Sequence, residues 1–164
     1  MKKLVVYYSF GGNTKKVAMD IARSLRADVL EINTVKDYPD DYDVLLGLAQ
    51  QEVKSGYMPR LRPYELSLDR YEAVILGTPV WWSSFAPAMK KFMSGFNWKG
   101  RRVYPFATSE DSLGHAPSDF KKALRGAVIS PVLGVKFKNN KQETSPEIVE
   151  EWVKQIKLDC KGNE

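Results

Sequence analysis

Cysteine and histidine are almost absent. Cys160 is the only cysteine and His115 the only histidine among 164 residues. A lone cysteine excludes a disulfide within the chain and a cysteine-based metal site. That suits a reducing compartment, and a cytoplasmic location is expected. Cys160 stands in a polar C-terminal segment and reads as an incidental exposed thiol; His115 reads as a solvated loop residue. No apolar run is long enough to span a bilayer, so no membrane partner is expected. Long blocks of one charge are also missing. The 25 basic and 20 acidic residues are interspersed and leave a net charge of +5. Pairs such as Lys90-Lys91 and Lys121-Lys122 read as solvated faces, and with no supporting motif no nucleic-acid partner is expected. Apolar residues make up 43% of the chain. At this length that suffices for a well-buried core, and one domain over residues 1–164 is expected.

What is present begins at Lys3. The run Leu4-Val5-Val6-Tyr7-Tyr8 is apolar and reads as a buried strand, with Tyr7 and Tyr8 facing opposite sides. Its N-terminal lysines and apolar character mimic a leader peptide. The apolar part is too short, and the segment reads as the first strand of the fold. It breaks into Ser9-Phe10-Gly11-Gly12-Asn13-Thr14, after which Val17, Ile21 and Leu25 fall on one helical stripe. Such a loop suits a phosphate. Ser9 and Thr14 hydroxyls and the Asn13 amide can donate, and Gly11 and Gly12 let backbone N–H groups turn inward. The helix start adds unpaired donors and a positive dipole end. No Gly-Lys-Ser/Thr closes the loop, which excludes a Walker motif. The dinucleotide fingerprint G-x-G-x-x-G is missing as well.

Further strands are expected at 28–35, 73–77, 103–107 and 128–137, with helices between and after them. Residues 36–70 form the longest connection. It carries a short amphipathic helix with Val44, Leu45, Leu48, Ala49 and Val53, ended by Gly56. Pro105 is awkward inside a strand and predicts an irregular ladder. Pro131 and Gly134 predict a bend. Ser118 is expected to cap a short helix, and Ser145-Pro146 to open a last helix whose buried stripe is Ile148, Val149, Trp152, Val153 and Ile156. Alternation of strand and helix predicts an α/β fold with a parallel sheet covered on both faces. The loops 9–14, 78–84 and 108–115 all follow strands, so all three share the ligand-binding edge of such a sheet.

Those three loops carry a resemblance. Ser9-Phe-Gly-Gly-Asn-Thr14, Gly77-Thr-Pro-Val-Trp-Trp82 and Thr108-Ser-Glu-Asp-Ser112 are similar to the flavin loops of the flavodoxins, and the likeness covers nearly the whole chain. It implies the short-chain flavodoxin-like fold, a doubly wound five-stranded parallel sheet of order 2-1-3-4-5. It implies FMN as cofactor and electron transfer through semiquinone and hydroquinone states. Ser9, Gly11, Gly12, Asn13 and Thr14 would hold the phosphate. Thr78, Pro79, Val80, Trp81 and Trp82 would lie along the flavin, with either indole as the flat contact and Trp81 the preferred one. Thr108, Ser109, Glu110, Asp111, Ser112 and Gly114 would border the pyrimidine. Glu110 and Asp111 stand where relatives often carry glycine. They either repel a reduced anionic flavin or point to solvent. No side chain need act as catalyst, since the flavin supplies the chemistry. Expected partners are redox proteins or small-molecule electron acceptors, with the chain a monomer or weak homodimer. The basic charge departs from the acidic surface usual in such carriers. It leaves open an FMN-dependent NAD(P)H or quinone oxidoreductase on the same fold. A receiver domain would need acids at Tyr7-Tyr8-Ser9, and a small tyrosine phosphatase a Cys and an Arg in the first loop; neither is present.

Overall fold

The computed structural model describes residues 2–161. Strand β1 (Lys2–Tyr7) leads into helix α1 (Asn13–Leu25), then β2 (Asp28–Glu31) and α2 (Tyr42–Ser55). Next come β3 (Tyr71–Trp81), β4 (Ser84–Phe85) and α3 (Pro87–Ser94). They are followed by β5 (Arg102–Ser109) and α4 (Ala116–Ala123). Strands β6 (Val128–Ile129), β7 (Leu133–Lys138) and β8 (Lys141–Gln142) precede α5 (Pro146–Lys161). The sheet runs β2-β1-β3-β5-β7-β8, parallel except where β8 folds back on β7.

Period-two alternation divides the core into two layers. Leu4, Val6, Tyr8, Val74 and Leu76 face α3 and α4, where Met89, Phe92 and Phe120 cover them. Val5, Tyr7, Ile75, Tyr104 and Phe106 face α1 and α5, against Val17, Ile21, Val153 and Ile156. Tyr7 and Tyr8 therefore do part to opposite faces. At Gly77 the ring of Phe106, its ladder partner, occupies the space a Cβ would need. Only glycine fits there.

The parallel core keeps the expected order, but eight strands are present among the described residues, not five. The fifth expected strand is broken at Ser130-Pro131-Val132 into β6 and β7, both paired with β5. Pro105 explains the gap. The Val103 carbonyl accepts from Ser130 N–H at 3.1 Å, so alternation turns the Pro105 nitrogen, which has no proton, to the same flank. The two added hairpin arms, β4 and β8, follow turns with positive φ at Trp82-Ser83 and Asn139-Asn140. The second expected strand stops at Glu31 because its ladder partner Tyr7 ends β1.

Three side chains depart from their expected burial. Cys160 is buried at 5% exposure against the second layer, because α5 carries it inward one turn beyond Ile156. Ile148 is exposed, one residue and about 100° off the inward stripe of α5. Val44 is exposed while Leu45 and Ala49 turn inward on α2. Gly56 closes α2 at φ 72°, as expected. Ser118 does not cap α4. His115 takes that position, and the Ser118 hydroxyl bonds back to the His115 carbonyl at 3.0 Å. At α5 the Ser145 hydroxyl donates to the Glu147 carboxylate and holds it below its usual carboxylate range.

Candidate functional site

Strands β1, β3 and β5 end on the same edge, and direct contacts bring their loops together. Thr14, in the first turn of α1, and Thr108, near the end of β5, place their hydroxyl oxygens 2.7 Å apart. Both residues are buried, so each hydroxyl needs the other. His115 N–H donates to the Ser83 carbonyl at 2.6 Å. Gly114 approaches so closely that a Cβ would lie 2.5 Å from Ser83 Cα, and its φ is 55°. Phe10 meets Trp81 edge-on with ring centroids 6.2 Å apart.

The first loop leaves most of its backbone donors open. Gly11 and Gly12 hold φ of 81° and 98°, and nothing lies within 4 Å of the Cβ positions they lack. These glycines answer to backbone dihedrals and open space, not to crowding. No side chain caps α1 at Gly12, and no acid stands in its first turn. The N–H groups of Gly11, Gly12, Asn13 and Thr14 find no acceptor among the described residues. Lys15 N–H is met by Ser9 Oγ at 3.1 Å, and Lys16 N–H by the Gly12 carbonyl at 3.0 Å. The bond to Ser9 uses an oxygen lone pair and leaves the Ser9 proton free to donate.

The second loop is shorter than expected. Residues 78–81 continue β3: Pro79 pairs with Thr108 across the ladder, and Val80 and Trp81 pair back with β4. Only Trp82 and Ser83 form the turn, both at positive φ. Thr78 is buried and acts as a brace. Its Oγ1 accepts from Ala86 N–H at 2.9 Å and donates to the Pro79 carbonyl. The two tryptophans separate clearly. Trp81 is half-buried in an aromatic cluster with Tyr8, Phe10 and Tyr38, all edge-on. Trp82 is exposed, and its Nε1 donates to the Leu46 carbonyl of α2 at 2.9 Å. In the third loop Thr108 and Ser109 belong to β5, while Glu110, Asp111, Ser112 and Gly114 are exposed.

Tyr38 was missed by sequence reasoning. Its hydroxyl donates to Glu52 at 2.7 Å, and burial first, then Glu52, raises its pKa well above the ordinary tyrosine value. It lies in a turn cluster, Tyr38-Pro39-Asp40-Asp41, that carries no signal of packing under Trp81. Ser84, whose hydroxyl donates to Asp119 at 2.6 Å, is a second contact legible only in three dimensions.

Fold and site together define a doubly wound α/β protein whose three strand-end loops gather at the carboxyl ends of its central strands. A family model described as Flavodoxin matches residues 2–156, and the chain belongs to the flavodoxin family. Among solved structures, a flavoprotein of Lactobacillus acidophilus NCFM in complex with FMN is 22% identical with a TM-score of 0.73, over 81% of this chain and 92% of that one. A candidate flavoprotein of Bacteroides uniformis ATCC 8492 is 26% identical, TM-score 0.78, over 93% and 97%. A flavodoxin from the Archaea is 22% identical, TM-score 0.57, over 94% and 92%. No curated protein matches the sequence. Among the described residues no helix is long and apolar enough to cross a membrane.

Proposed function

We propose that this chain binds FMN between its three strand-end loops and carries electrons between redox partners, proteins or small acceptors, in the cytoplasm. The start of α1 carries the reading: four N–H groups unpaired among the described residues, two open left-handed glycines and a first turn without an acid suit a dianionic phosphate. Ser9 adds a hydroxyl donor. The Thr14–Thr108 pair shares one proton and leaves the other free to reach a ligand. Trp81 and Phe10 supply the aromatic wall nearest that loop, and Thr78 holds the β3–β4 hairpin behind it. FMN, when bound, supplies the redox chemistry. The protein's part is to orient it and set its surroundings. Glu110 and Asp111 are exposed, so solvent screens their charges.

The net charge of +5 favours a second reading, an FMN-dependent NAD(P)H or quinone oxidoreductase on the same fold. Steady NAD(P)H oxidation with a quinone, by the purified protein alone, separates it from the carrier. FMN and riboflavin titrations test the shared premise. Ser9→Ala with Thr14→Ala is expected to weaken FMN by about tenfold or more and riboflavin little, since only FMN bears the phosphate. Equal losses for both ligands would refute the phosphate assignment.

A further inference from the structure

Beside the β3–β4 turn lies an open pocket of about 460 Å³, bordered by α2, that turn, α3 and α4. Its size suits a small organic ligand. Trp82, Tyr57 and Phe85 give it aromatic walls. The Trp82 backbone is forced to a φ of 47°, a conformation that costs a bulky residue energy. The turn is held there from outside, by His115 N–H on the Ser83 carbonyl and by Gly114 against Ser83. The indole is held as well, through Nε1 on the Leu46 carbonyl. The strain and both clamps fix one flat, exposed aromatic face at this pocket.

The polar groups of the pocket are unequally satisfied. Its two carboxylates are engaged: Glu52 accepts the Tyr38 hydroxyl and Asp119 the Ser84 hydroxyl. Its half-buried ammonium is not. Lys90 has no carboxylate within 4.0 Å among the described residues, and its one contact is the Gly56 carbonyl at 3.5 Å. An ammonium left short of partners beside a pinned indole matches a planar ring bearing an anionic group.

We propose that this pocket binds a planar aromatic carboxylate, with the ring against Trp82 and the carboxylate on Lys90. This goes beyond the FMN reading: the pocket shares Trp82 with the second loop, but none of the phosphate-loop residues lines it. The full chain, before and after FMN addition, is titrated with 2-naphthoate and with the neutral 2-naphthamide. Calorimetry gives the affinity, and the indole N–H resonances give the location. The acid is expected to bind about tenfold or more tightly than the amide, and Lys90→Met to abolish that preference. Trp82→Leu should weaken both ligands, and the Trp82 indole signal should shift on binding. Lys90→Met should still bind FMN as the parent chain does, which separates the two sites. Equal binding of acid and amide, an unaffected Lys90→Met variant, or shifts at Trp98 or Trp152 in place of Trp82 would each overturn the proposal. So would displacement of 2-naphthoate by FMN.

Discussion

Thr108→Val is the sharpest probe of how the loops are joined. The Thr14 and Thr108 hydroxyls are 2.7 Å apart, at residues 1% and 5% exposed. Removing one hydroxyl leaves the other buried without a partner, which costs about 1–3 kcal/mol. Thr14→Val has the same consequence from the opposite side. Replacing both removes the pair together and leaves no orphan, so the double variant should be far more stable than the sum of the singles suggests. A coupling energy of roughly 0.5–3 kcal/mol is expected from the cycle. Urea unfolding at constant slope measures it, and each kcal/mol corresponds to a shift of about 2–4 °C in Tm for a chain of this size. Strict additivity, within about 0.3–0.5 kcal/mol, would refute the contact. FMN titration of the same variants adds a second readout. If the pair presents a proton to phosphate, Thr108→Val weakens FMN more than riboflavin although Thr108 stands on β5, outside the first loop.

Gly77→Ala drives a methyl into the ring of Phe106 and should lose roughly 1–3 kcal/mol in urea, partly recovered by Phe106→Leu; full stability of Gly77→Ala would sink the steric argument. Alkaline pH should destabilise the fold through its tyrosines. Burial first, then Glu31, pushes Tyr7 up to about 12, and Tyr8, Tyr38 and Tyr104 are also raised, burial being the largest cause for each. An unfolded tyrosine ionises near pH 10, so the folded chain keeps protons that the unfolded chain loses. The stability is fully present below about pH 10 and falls between there and 12, by about 1.4 kcal/mol per pH unit for each such tyrosine. Tyr7→Phe should flatten that decline in unfolding measured from pH 9 to 11.5, and an unchanged slope would count against the assignment. Burial also raises the Cys160 thiol, so an aromatic disulfide reagent should label it slowly in buffer and fast in urea; equal rates would place the thiol at the surface.

Much of this protein was legible in its residues. The apolar runs at Leu4–Tyr8 and Ala73–Gly77, each followed by a loop and a helical stripe, determine a parallel sheet covered on both faces, because local periodicity records which side of an element is buried. Gly11 and Gly12 marked the tight turn into α1 for the same kind of reason. Their chemistry is local, and the left-handed φ of both glycines follows from it. Pro105 announced the broken ladder, because a missing N–H is a property of one residue.

Tertiary structure alone decided which of two adjacent tryptophans faces which way. Trp81 continues β3 into the aromatic cluster, while Trp82 occupies a left-handed turn that Gly114 and His115 hold from a segment more than thirty residues away. The pairing of Thr14 with Thr108 has the same origin. So do the burial of Cys160 and the place of Tyr38 under Trp81. Each depends on what arrives from a distant part of the chain. Such contacts form between surfaces brought together by the sheet, and no periodicity within a single segment encodes its partner.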